Sequence, residues 1–161
     1  MNHAQKLAFE LKLAGLRELA SKKHDLTGCM LSACSAHDPP AATQAAVIRF
    51  LIESGVSVNE TDRNGVTPLH RAVRFRSLVA VDLLLTSGAD VNAIDRRSQS
   101  TALHRAVTNS GAPATAGKTS VAILIVQSLL SHGADSAIKN KAGKTPTDYR
   151  MGSAMSAAFS V

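Results

Sequence analysis

A seven-residue phrase recurs in this chain at a spacing of 34, as Thr67-Pro68-Leu69-His70-Arg71-Ala72-Val73 and then Thr101-Ala102-Leu103-His104-Arg105-Ala106-Val107. Each copy leads into an apolar run that closes on a glycine turn, Ser87-Gly88-Ala89-Asp90-Val91-Asn92 and Ser131-His132-Gly133-Ala134-Asp135-Ser136. Self-similarity at a fixed period of ~20–50 residues marks a solenoid, in which no unit buries its apolar face alone and neighbours must stack. A stack offers an extended surface rather than an enclosed pocket, so the repeat points toward binding and away from catalysis.

Each unit can be read residue by residue. Asp62-Arg63-Asn64-Gly65 is a turn, with Asn-Gly supplying positive φ. Thr67 is a good N-cap, and Pro68 suits the first helical turn, where its missing N–H is not needed. This predicts a helix to about Arg74 and a second from about Leu78 to Leu85, whose Val79, Val81, Leu83, Leu84 and Leu85 form a broad apolar face. Gly88 stops the second helix.

The combination of Asn64-Gly65-Val66-Thr67-Pro68-Leu69-His70 with Gly88-Ala89-Asp90-Val91-Asn92 resembles an ankyrin repeat. The resemblance implies an all-α repeat solenoid of helix-turn-helix units joined by short β-hairpins or turns. It covers residues 23–150 in units of about 23–61, 62–94, 95–139 and a terminal 140–161 that decays after Thr145-Pro146. Residues 1–22 read as one amphipathic helix capping the exposed end of the first unit. Two units carry extra residues between their helices, around 35–42 and 108–119, and the turn at Ser98-Gln99-Ser100 is one residue longer than its counterpart.

Several features that suggest chemistry have structural explanations. His70 and His104 occupy equivalent sites about 10 Å apart in a stack, too far to share a ligand unaided. The family implies instead that each bonds to its own threonine and to turn backbone. Cys29 and Cys34, with His24 and His37 nearby, sit about 140° apart around a helix and lack zinc-pair spacing. The stretch Gly111 to Thr119 imitates a phosphate-binding loop, but five residues separate its glycines, a helix rather than a strand precedes it, and Pro113 removes an N–H. No catalytic residue, cofactor site or metal site is expected.

What remains is a surface. Between His24 and Gly117 every cation is arginine, within a chain of formal net charge +6. Arginine suits bidentate contact with carboxylate or phosphate. The resemblance implies recognition through turn tips and the inner helices, which carry Arg63, Asn64, Arg96 and Arg97 at the tips and Arg71 and Arg105 after each histidine. Arg74-Phe75-Arg76 lies between the helices of the central unit, in a notch expected between the two insertions. An aromatic flanked by arginines fits an anchor for an acidic, partly apolar peptide.

These nine residues make a non-enzymatic protein-interaction module, a scaffold or adaptor, the leading expectation. Binding of nucleic acid or another polyanion is the alternative. Two cysteines are too few for a disulfide framework, and the stretch Leu7 to Leu19 is too charged for a signal peptide. The longest apolar run, Val121 to Val126, is too short to span a bilayer. An intracellular, cytoplasmic setting with no membrane partner and no small-molecule substrate is therefore expected.

Overall fold

The computed structural model describes residues 1–108, 119–149 and 153–159, and every regular element among them is helical. The inner row consists of α1 (His3–Phe9), α3 (Cys29–Ala33), α5 (Pro68–Arg74) and α7 (Ala102–Val107). The outer row consists of α2 (Leu13–Ser21), α4 (Ala41–Glu53), α6 (Leu78–Thr86) and α8 (Thr119–Ser131). A 3-10 turn, Pro146–Asp148, and α9 (Ser153–Ala157) close the far end. Within each row every helix packs on the next, and a single apolar cluster runs from Ala4 to Ala158. Its fully buried members include Leu16, Met30, Ile48, Leu69, Leu84, Leu103 and Ile125. Each such side chain contributes roughly 1.5–3 kcal/mol relative to exposure.

The repeated phrase is a fastening. At Thr67 the side chain accepts the His70 backbone N–H, and the His70 ring nitrogen Nδ1 accepts the Thr67 N–H at 3.2 Å. The second ring nitrogen of His70 lies 2.9 Å from the carbonyl of Ser100, just before the next N-cap. A carbonyl can only accept, so Nε2 carries the proton and the ring is neutral. Burial, reinforced by the Arg105 charge, lowers the His70 pKa to about 4, against the weaker opposing effects of the Ser100 hydrogen bond and of Asp95 and Asp62. The next copy repeats the arrangement, with His104 bonded to Thr101 and, at 3.0 Å, to the Lys144 carbonyl. Each histidine thus caps its own helix and bolts it to the following unit.

The unit at 23–61 has Gly28 and Leu31 where the later units have the threonine and the histidine, and a residue from the following turn does their work. Glu60 accepts the Gly28 N–H and the Leu31 N–H, both at 2.8 Å, the two donors that Thr and His satisfy elsewhere. Gly28 must stay small, because its φ is +80° and an added Cβ would lie 2.4 Å from the Gln5 amide nitrogen. The opposite edge of each unit carries a second tie. Asn59 pairs with the Gly88 carbonyl at 3.1 Å and the Asp90 N–H at 2.8 Å, and Asn92 does the same to Gly133 and Asp135.

Residues 1–22 form two helices where the sequence reads as one. Leu11 takes φ +55° and breaks the run, so α1 and α2 fold back on each other. This pair carries the repeat's own hardware. Asn2 and Gln5 make a reciprocal capping box, and the Gln5 amide donates to the Thr27 carbonyl at 3.0 Å, as His70 does to Ser100. Lys23, at φ +57°, ends α2 as Gly55, Gly88 and Gly133 end their helices.

Candidate binding trough

The turns that precede α5 and α7 are each organised by one aspartate. Asp62 Oδ1 accepts the N–H groups of Asn64 and Val66, while its other oxygen accepts from Arg71 at 2.8 Å. Asp95 Oδ1 accepts from the Arg97 and Ser98 backbones, and Oδ2 takes the Ser98 hydroxyl and, at 3.1 Å, Arg105. Burial raises the pKa of both carboxyls and is outweighed. Val66, Asn64 and Arg71 bring Asp62 below the usual range, and Ser98 with Arg105 bring Asp95 down to about 2. In the last unit the same turn is built on Asn140, whose amide donates to the Tyr149 hydroxyl at 2.6 Å.

Between these turns and the inner helices runs a groove of about 500 Å³. It gathers six of the nine expected residues: Asn64, Arg71, Arg74, Phe75, Arg97 and Arg105. A second bay of about 350 Å³ adjoins it, sharing Arg74, Arg97, Ser98 and Arg105 and reaching Tyr149. The four arginines are not equivalent. Arg71 and Arg105 are held by Asp62 and Asp95, whereas Arg74 and Arg97 are exposed and make no ion pair among the described residues.

The remaining three residues lie outside this groove. Arg63 and Arg96 are exposed at the turn tips, where the Arg96 N–H donates to the Asn64 carbonyl at 2.8 Å. Arg76 turns away altogether. At φ +56° its guanidinium reaches the carbonyls of Ala106 and Thr108, both at 2.9 Å, and so caps the C-terminus of α7. Burial there lowers its pKa. Phe75 ends α5 half-buried, its ring 4.7 Å from that of His37 in an edge-on arrangement. His37 belongs to the 35–42 insertion, so one expected wall of the notch is in place. The other wall falls mostly at 109–118, outside the described residues, as does nearly all of the stretch resembling a phosphate loop.

Sequence reasoning did not name Ser98, His37 or Tyr149 for this site, and it weighed Asp62 and Asp95 only as partners of scattered surface arginines, the alternative to a functional basic surface. The Asp-to-Arg spacings of 9 and 10 residues are the one signal that could have paired the carboxylates with their arginines. No group of three potential metal ligands occurs among the described residues. Cys29 and Cys34 are buried free thiols. Burial, with help from Glu60, raises both, Cys29 to about 11, so neither is a reactive thiolate. A further open cleft of about 570 Å³ lies between the turns at 24–27 and 54–57. There Thr27 takes the place that Asn59 and Asn92 hold in the later units. No helix of the described residues is long and apolar enough to cross a membrane.

Comparison with known proteins matches the chain to a family model of ankyrin repeats in three copies, over residues 12–95 and 41–140. It is 40% identical over 102 residues to the ankyrin repeat protein FPV031 of fowlpox virus, covering 62% of this chain and 27% of that protein. It is 40% identical over 98 residues to BRCA1-associated RING domain protein 1 of Caenorhabditis elegans, covering 61% of this chain and 12% of the relative. The B-cell lymphoma 3 protein homolog of Mus musculus is 38% identical over 104 residues, 64% of this chain and 20% of its own. The chain therefore spans less than a third of the length of each of these relatives.

Proposed function

Because the chain belongs to the ankyrin repeat family, we propose that it is a non-enzymatic scaffold or adaptor whose trough takes an acidic segment of a partner protein. Ankyrin repeats are generally protein-interaction modules, and such stacks typically carry no catalytic machinery. The reading rests chiefly on the unequal pairing of the trough's arginines. Arg71 and Arg105 are spoken for by Asp62 and Asp95, and this fixes the walls. Arg74 and Arg97 stay exposed beside Phe75, offering two guanidinium groups that make no ion pair among the described residues next to an aromatic face. Arginines beside an apolar anchor suit carboxylate side chains and a neighbouring apolar one. The buried, unpaired thiols of Cys29 and Cys34 fit a reducing, cytoplasmic setting.

An acidic synthetic peptide carrying a photoreactive group tests the reading. Cross-links mapped by mass spectrometry are expected at the end of α5 and in the 95–98 turn. Cross-links confined to the outer helices would contradict it. The net charge of +6 favours a second reading, binding to nucleic acid. That reading predicts affinity for generic RNA or DNA that falls steeply with salt, and its observation would displace the protein partner.

A further inference from the structure

The trough continues into a row of aromatic rings that crosses the inner helices toward the N-terminus. Phe75 ends α5, Phe9 ends α1, and His37 from the insertion stands between them. The ring centroids of Phe75 and His37 are 4.7 Å apart at 70°, and those of His37 and Phe9 are 6.4 Å apart at 72°. Both pairs are edge-to-face, a favoured arrangement of aromatic rings. His37 is exposed and Phe9 is 37% exposed. His37 and Phe75 also line the arginine groove, so row and groove form one continuous surface.

We propose that this row is a second subsite of the same trough and that it fixes the polarity of the bound segment. The proposal rests on the acidic-segment reading above. Cations cluster at the 95–98 turn and the end of α5, while the opposite end of the surface, at Phe9, offers rings. The occupant is therefore a partner segment of two parts. Its carboxylates lie against Arg74 and Arg97, and its aromatic or large aliphatic side chains lie across Phe75, His37 and Phe9. Neither Phe9 nor His37 belongs to the apolar core cluster.

Two synthetic peptides separate this subsite from the trough itself. Both carry the same acidic block, and only one continues into aromatic residues. The aromatic peptide is expected to bind the full chain about tenfold more tightly. In a Phe9→Ala variant that advantage shrinks while affinity for the purely acidic peptide is unchanged. Equal affinity of the two peptides for the unaltered chain overturns the aromatic subsite and leaves the trough standing. Failure of both to bind overturns trough and subsite together. Polarity is read on the unaltered chain with a nitroxide label. Placed at the aromatic end, it should broaden amide signals near Phe9; broadening near Arg97 instead would refute the proposed direction.

Discussion

The junctions on either side of Gly28 and those around His70 solve one problem with different residues. In the central units a threonine and a histidine three residues later satisfy the first N–H groups of their own helix, and the histidine also reaches the next unit. In the first half of the chain Gln5 does the histidine's work, and Glu60 replaces a threonine and a histidine at once from the neighbouring turn. What a stack preserves is thus the set of backbone groups to be satisfied, while the residue that satisfies them is interchangeable. The His70 and Gln5 links differ in one respect that can be measured: the histidine is titratable and fully buried, and Gln5 is neither.

The largest effect should come from removing the bolt. His70→Ala leaves the Thr67 N–H and Ser100 carbonyl without partners and opens a cavity, and should cost about 3–4 kcal/mol in chemical denaturation. Loss of a cap alone, about 1 kcal/mol, would show that the link to the next unit contributes nothing. Acidification comes next. His70 titrates at about 4 in the fold against an ordinary value near 6.5, so the unfolded chain binds the extra proton first. The stability is therefore complete above pH ~6.5 and falls by about 3 kcal/mol by pH ~4. Asp95, held at about 2, adds its own loss only below its ordinary value of 3.8. Hydrogen exchange between pH 7 and pH 4.5 should show protection falling around residues 67–73 while residues 3–9 keep theirs. Parallel loss at both would erase the contrast between the junctions. Glu60→Ala should have the smallest effect, about 2 kcal/mol, from two unsatisfied part-buried N–H groups. Glu60→Gln, with one acceptor oxygen, should recover about half of it.

The fold was legible because its signals are local. Thr67-Pro68 and Gly88 state where helices begin and end, and the observed α5 and α6 stop within one residue of the expected positions. The N-terminal pair was missed because Leu11 takes positive φ without being glycine, so no composition signal marks the break. The Asn2-to-Gln5 capping box was a readable clue of the same kind as Thr67-to-His70. Glu60 could not be read, since it lies 32 residues from the helix it caps. The site divides the same way. Arginines on the inner helices were expected from the repeat, but which of them carry an ion pair depends on Asp62 and Asp95 folding back onto their own units. Arg74 and Arg76 are two residues apart, yet one faces the groove and the other caps α7. For the same reason, charge reversal at Arg71 and Arg105 is a poor probe of binding, because it would set carboxylates against Asp62 and Asp95.

Reversal at the unpaired positions is the direct probe of the trough. Calorimetric titration of an acidic peptide into the chain and into its Arg74→Glu, Arg97→Glu variant should show affinity falling at least tenfold, about 1.4 kcal/mol, with the thermal midpoint of unfolding unchanged. Undiminished binding by a variant that remains folded would contradict the trough as the site of recognition.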